Sequence, residues 1–235
     1  MNLNKCNSEL EYINELIEKG VTHALVDVDN TIAKANITEL YLFMRKRKQS
    51  KLSWYLWCIY FAFIWAPIYL LIDFIDRDLF QKAFYKRYRN FTVQDIESNS
   101  TELFKIKYKG NFIERTHDLI FHLKEKNIGV TLLSTNINTI VREYAAYFEV
   151  PFICLEVKEK DGLAIIDLTH LNQFKYRAAQ LFNQKTTMAI ADSKHDLPVL
   201  NYVSYSMVVS DKKKSWMKKI TSSFRLIPEK KIHVN

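Results

Sequence analysis

Residues 23–32 read HALVDVDNTI. Ala24, Leu25, Val26 and Val28 suit a strand buried on both faces, and two acids one residue apart, Asp27 and Asp29, stand where that strand ends. Asn30 suits a turn, and Thr31 follows it. A carboxylate buried without a partner costs several kcal/mol, so a cation, a set of backbone donors or a basic side chain from elsewhere in the chain must compensate the pair.

Further short apolar runs follow: GVTLLS (129–134), PFICLEV (151–157), TMAIA (187–191) and SYSMVV (204–209). Between them TIVREYAAYF (139–148) and LNQFKYRAAQLF (171–182) carry helical spacing, and SELEYINELIEKG (8–20) reads as an amphipathic helix capped by Ser8 and stopped by Gly20. Strands alternating with helices predict an α/β fold, a Rossmann-like parallel sheet covered on both faces. In such sheets ligands sit beyond the carboxyl ends of the strands, which is where Asp27 and Asp29 fall. Residues 35–110 break the alternation with helical patterns and no convincing strand, and predict a helical cap inserted after the first strand. The core is then 1–34 and 111–235.

Three other segments end strands or start helices where they can converge on Asp27. LLSTN (132–136) brings Ser134 and Asn136, NQFKYR brings Lys175, and IADSKHDLPVL (190–200) brings Asp192 and Asp196, which share a helix face if a helix begins there. The set D-x-D-x-T, then a strand ending in Ser or Thr, then Lys, then D-S-x-x-D-L-P resembles the haloacid dehalogenase superfamily. More narrowly it is similar to the phosphatases related to phosphoserine phosphatase, over roughly residues 20–227. A lone D-x-D-x-T is a weak signal; the four motifs in order are a strong one.

The resemblance implies that Asp27 is the nucleophile, forming an aspartyl-phosphate, and that Asp29 protonates the leaving alkoxide and then activates water. It implies Mg²⁺ held by Asp27, Asp192 and the main-chain carbonyl of Asp29, an all-oxygen set. It implies phosphate binding by Ser134 and Lys175, with Thr31 grouped beside them and steadying the loop. Asp196 would hold Lys175 or a metal-bound water, and Asn136 would contact substrate. An acid at Asp29 favours a phosphatase, or after it a phosphomutase, over the dehalogenases and cation pumps of the superfamily, which lack it. Asn30 stands where glycine is often seen.

The chain has 235 residues, 48% hydrophobic and 26% charged, with only 4 Gly and 4 Pro, the composition of a globular protein with long regular elements. A net charge of +8 predicts an anionic partner. Cys6, Cys58 and Cys154 are too scattered for a disulfide framework or zinc site and fit a reducing compartment. The polar N-terminal stretch does not read as a signal peptide.

Inside the cap, LSWYLWCIYFAFIWAPIYLLI (52–72) is as long as a bilayer span, roughly 20 residues, and apolar on every side. A small cap cannot surround such a helix. The strands before and after it must pair in one sheet, so a single crossing is forbidden. Pro67 offers a break where the helix can turn back. RKRKQSK (45–51) before the run and Lys82, Lys86, Arg87 and Arg89 after it place both flanks on the cytoplasmic surface. The expectation is an in-plane or re-entrant anchor, peripheral or monotopic, on an anionic membrane; in hydropathy the run is similar to caps of phosphatidylglycerophosphate phosphatases and of phosphatase domains joined to glycerolipid acyltransferases.

The expected function is therefore a Mg²⁺-dependent phosphomonoesterase acting on a lipid phosphate of the phosphatidylglycerophosphate or lysophosphatidate type. Two alternatives stay open: a cytoplasmic phosphatase of a soluble phosphoester whose apolar run makes a homodimer, and a catalytically silent membrane-bound interaction module. No nucleic-acid partner is expected, because the basic cluster flanks an apolar run instead of a groove. SDKKKSWMKKI (210–220) reads as a basic helix closing the sheet.

Overall fold

The structure, a computed structural model, describes residues 9–220 and 223–226. Cys6 and the expected cap Ser8 lie outside the described residues. The strands are β1 His23–Val26, β2 Gly129–Ile137, β3 Phe152–Leu155, β4 Val157–Lys160, β5 Leu163–Ile166, β6 Thr187–Ala191, β7 Tyr205–Val209 and β8 Ser223–Leu226. Six of them form a parallel sheet in the order β3-β2-β1-β6-β7-β8. The expected α/β architecture is what forms. β1 is an inner strand, with Val26 level with Leu132 on one side and Ile190 on the other. Ala24, Leu25 and Val26 are all buried, as a strand with both faces covered requires.

The helices are α1 Glu9–Glu18, α2 Ile37–Arg47, α3 Lys51–Tyr60, α4 Ala66–Ile75, α5 Arg77–Tyr85, α6 Val93–Ile106, α7 Glu114–Glu125, α8 Asn138–Phe148, α9 Phe174–Ala179 and α10 Leu197–Tyr202. Helices α2 to α6 form the insertion that separates β1 from α7 and β2. The chain leaves and re-enters through a paired neck, in which Lys34 N donates to Asn111 O (3.2 Å) and Ile113 N to Ile32 O (2.7 Å). Local chemistry sets the starts of these helices. The Asn36 side chain accepts from Thr38 N at α2, and Thr92 and Asp95 exchange the two bonds of a capping box at α6. Inside the cap, Tyr41, Tyr69 and Tyr88 surround the fully buried Phe84, with ring centroids 5.4, 5.7 and 6.4 Å away.

α3 and α4 are one continuous helix, Lys51–Ile75, long and apolar enough to cross a membrane by length and composition. The turn-back expected at Pro67 does not occur. Phe61–Trp65 is π-helical, and Ala66 N donates to Phe61 O, five residues back. Widening the turn there accommodates the proline, which lacks an N–H and whose ring crowds the carbonyl four residues before it. One narrow stripe of the helix, Trp57, Phe61, Trp65, Tyr69 and Ile72, packs on the cap. Most of the rest is bare: Phe63 is 79% exposed, Leu70 70% and Phe74 86%.

Two more readings are corrected. The run 151–157 ends as a strand at Leu155, and a hairpin follows in which β4 and β5 turn at Asp161 (φ 54°) and Gly162 (φ 77°), the left-handed pair that a tight two-residue turn requires. Ala164 N of that hairpin donates to Phe91 O (2.9 Å), buttressing the cap. The basic segment 210–220 is no helix of its own length; it holds a short 3₁₀ turn, Ser215–Lys219, before β8 extends the sheet.

Truncating Phe84 to Ala should destabilise the protein by about 3–5 kcal/mol, because a fully buried ring leaves a cavity. Phe74→Ser on the bare face should change stability by less than about 0.5 kcal/mol. Urea-unfolding midpoints of the two variants check the contrast.

Candidate active site

The loop after β1 presents the paired acids at the sheet's carboxyl edge. Asp27 N donates to Ile190 O (2.9 Å) of β6, tying the first acid to the sheet. The chain then bends through Asn30 (φ 58°), whose N donates to Ala33 O (2.8 Å). Asparagine adopts the left-handed region with little strain, which explains its presence in place of glycine.

Lys175 Nζ reaches into this loop from α9 and binds Asp27 Oδ1 (2.5 Å) and Asp196 Oδ1 (2.6 Å). Thr31 Oγ1 donates to Asp27 Oδ2 (3.0 Å), so both oxygens of Asp27 are held. Thr31 itself is fully buried and spends its hydroxyl on the carboxylate, which makes it a positioning residue instead of the phosphate ligand grouped with Ser134 above. Asn136 Nδ2 donates to both oxygens of Asp29 (3.2 and 3.1 Å), while its Oδ1 accepts Ile137 N (2.8 Å). Asn136 is thereby placed to orient Asp29.

Ser134 lies at the same strand end, buried, with Oγ accepting Asn136 N (3.0 Å). Thr135, not Ser134, lines the cleft. Cap helix α5 docks here: Gln81 Nε2 donates to Thr135 Oγ1 (3.1 Å) and Tyr85 OH to Thr135 O (2.9 Å).

Charge is badly matched in this cluster. Asp27, Asp192 and Asp196 bring carboxylate oxygens within 4.8 Å of one another, and Asp29 stands two residues from Asp27. Among the described residues one ammonium, Lys175, contacts the cluster directly, with Lys214 acting on Asp192 from farther away. Burial works against its charge, but Asp196 and Asp27 outweigh that and hold it firmly protonated. Burial pushes Asp27 up, with Asp196 adding and Lys175 opposing. Burial first, and then the charge of Asp27, lifts Asp29 to about 7. Burial, then Asp27 and Asp196, lifts Asp192 to about 7 as well.

A hard divalent cation fits this surplus of oxygen donors, which offers no nitrogen or sulfur ligand. The carboxylates that converge are Asp27, Asp192 and Asp196. The Asp29 carboxylate is turned to Asn136 and is absent from that group, leaving its main-chain carbonyl as the donor expected from it.

The cluster opens into a cleft of about 400 Å³ between core and cap. Sequence reasoning missed the cap's share of it. Arg77, Asp78 and Gln81 of α5 line the cleft, as do Lys214 and Trp216 from the C-terminal segment. The only local signal was spacing: Arg77 and Gln81 stand at i and i+4, on one face of a helix.

The family model for haloacid dehalogenase-like hydrolases matches residues 24–201. No curated protein matches the chain. Among solved structures, a protein of unknown function from Bordetella pertussis Tohama I superposes with TM-score 0.64 at 12% identity, covering 86% of this chain and 96% of its own. Cytosolic 5'-nucleotidase IIIB bound to cytidine gives 0.59 at 15%, covering 97% and 88%. A phospho-aspartyl intermediate analogue of phosphoserine phosphatase gives 0.57 at 12%, covering 86% and 92%. At these identities the likeness is one of fold.

Asp29 and Asp192 keep their protons to about pH 7 in the folded chain but only to about 3.8 unfolded. The folded state therefore binds more protons between those values. The stability this contributes is full below the window and falls as pH rises through about 7. Metal-free protein should accordingly lose thermal stability from about pH 5 to 8. Mg²⁺ at about 100-fold over its Kd should return roughly 5–10 °C at pH 8. Melting curves with and without chelator test both signs.

Proposed function

The chain belongs to the haloacid dehalogenase-like hydrolases, and on that footing we propose that it is a Mg²⁺-dependent phosphomonoesterase acting on a lipid phosphate at an anionic membrane surface. The observation that carries the chemistry is the pairing of a gripped carboxylate, Asp27, with a second acid, Asp29, lifted to about 7 two residues away. Asp27, Asp192 and the Asp29 main-chain carbonyl would hold Mg²⁺, which would supply positive charge against the phosphoryl oxygens.

The chain's own residues perform the transfer. Thr31 and Lys175 fix the Asp27 carboxylate so that one oxygen can attack phosphorus in line with the ester oxygen. As the Asp27–phosphorus bond forms and the ester P–O bond breaks, Asp29 gives its proton to the departing alkoxide. An acid near 7 is suited to this, because at neutral pH it is populated both with and without its proton. Asp29, now ionised, takes a proton from the water that attacks the aspartyl-phosphate, releasing inorganic phosphate and restoring Asp27. Asn136 keeps Asp29 aimed throughout, and Lys175 offers charge to the phosphoryl group while Asp196 anchors the ammonium. The Ser134 hydroxyl is kept in this reading as a phosphate donor from the strand end.

Membrane placement is supported by the bare face of Lys51–Ile75. Isolated exposed apolar residues are ordinary, but a contiguous face of this kind marks an interaction surface. The helix lies along the cap on its packed stripe, and β1 and β2, which flank the insertion, are paired neighbours, so it rests in the interface plane instead of crossing. Of the basic collar, Arg47 pairs with Glu102, Lys48 with Asp95 (2.7 Å), and Arg87 turns in over Trp65 (4.4 Å to the ring). Lys46, Lys51, Lys86 and Arg89 remain exposed and unpaired among the described residues, each worth about 1 kcal/mol beside anionic lipid.

Asp27→Asn should abolish Mg²⁺-dependent phosphate release from an aryl phosphate. Asp29→Asn should lower kcat by about 10²- to 10⁴-fold on substrates with poor leaving groups. Wild-type protein should sediment with anionic vesicles and lose that binding on Phe74→Asp with Leu71→Asp. A defined dimer in the absence of detergent, with faster turnover of soluble phosphoesters than of micellar lipid phosphates, would overturn the lipid assignment.

A further inference from the structure

A second cavity, about 380 Å³, lies beside the catalytic cleft among α2, the long helix and α5. Its lining is mainly apolar: Leu42 from α2, Phe61, Ala66 and Leu70 from the long helix, and Phe80 and Phe84 from α5. Asn30 and Arg77 line both this cavity and the cleft, so the two meet at those residues. Arg77 donates to Asp73 Oδ1 (2.8 Å), which lines the same end, and its guanidinium stands where polar cleft gives way to apolar groove. Leu70, 70% exposed, connects the groove to the bare face of the helix.

We propose that this groove holds the hydrocarbon chain of the substrate, so that the enzyme selects phosphomonoesters whose alcohol carries an alkyl or acyl chain. The inference rests on the phosphatase reading above and adds where the apolar part of the substrate lies. Three features favour a substrate chain over any other occupant. The groove meets the reacting centre at Asn30 and Arg77, its lining is mainly apolar, and Leu70 on its wall also belongs to the bare face assigned to lipid. A chain drawn from the bilayer would pass Leu70, lie against Leu42 and Phe80, and leave its phosphate in the cleft beyond Arg77. Such a cavity is within the usual size range of ligand pockets, about 300–1,000 Å³.

The test uses the full chain with Mg²⁺ and monoalkyl phosphates from ethyl to decyl, kept below micelle-forming concentrations. kcat/KM should rise about two- to fourfold per methylene until the groove is full, complete burial of a CH₂ setting the upper value. Leu42→Trp should shorten the chain length at which the rise stops. Leu70→Asp, on an exposed site, should flatten the series, and both variants should hydrolyse para-nitrophenyl phosphate within about twofold of wild type. A flat series in wild type, or an unchanged one in both variants, would overturn the groove while leaving the phosphatase intact. Calorimetric titration with alkylphosphonates reads the groove without turnover. Octylphosphonate should bind about a hundredfold or more tighter than ethylphosphonate. Equal affinities sink the proposal even if no ester is hydrolysed, and a steep series with no hydrolysis would uphold the groove and reject the catalytic reading.

Discussion

Lys175 between Asp27 and Asp196 is the constraint on which the rest of the site depends. Removing one partner of a buried ion pair costs about 3–5 kcal/mol, because the remaining charge is stranded. Here one ammonium answers to two carboxylates directly, with Asp29 and Asp192 close by. The cluster is under-neutralised by design of its residues, and that imbalance does two things at once. It adds to burial, the larger cause, in lifting two acids to about 7, and it leaves oxygen donors that suit a divalent cation.

The parallel sheet makes this concentration of charge possible. β1 is hydrogen-bonded on both sides, so the backbone beneath Asp27 cannot shift to relieve repulsion. The cap then restricts the other side. Gln81 and Tyr85 fasten α5 to Thr135, at the same strand end that carries Ser134 and Asn136.

The long helix follows a different logic. Packing fixes only the stripe from Trp57 to Ile72, and aromatic stacking with Arg87 clamps it to the cap. The opposite face has no partner among the described residues. A π-turn before Pro67 keeps the helix running, so exposed apolar residues continue from Leu52 to Ile75 instead of ending at a bend, and the groove is lined from Phe61 to Asp73.

Much of this was written in the sequence because the strands are local and both their faces are buried. The runs at 23–28, 129–134, 187–191 and 204–209 announce themselves by apolar content alone, and D-x-D-x-T, Lys175 and D-S-x-x-D-L-P fix which ends matter. The hairpin around Asp161 and Gly162 was equally legible, since an Asp-Gly turn is a local signal, yet its short, exposed strands were passed over. What the sequence could not decide depends on contacts far apart in the chain. Whether Thr31 serves phosphate or Asp27, whether Asn136 is spent on Asp29, and which cap side chains enter the cleft follow from pairings 4, 107 and 54 residues apart. The first of these shows that even near neighbours need the fold: a hydroxyl has one proton to give, and only the surrounding burial says which acceptor receives it. Composition determined that residues 52–72 would be apolar all round; only tertiary packing decided that one stripe is covered, because a helix can bury no more of its surface than the neighbouring elements reach.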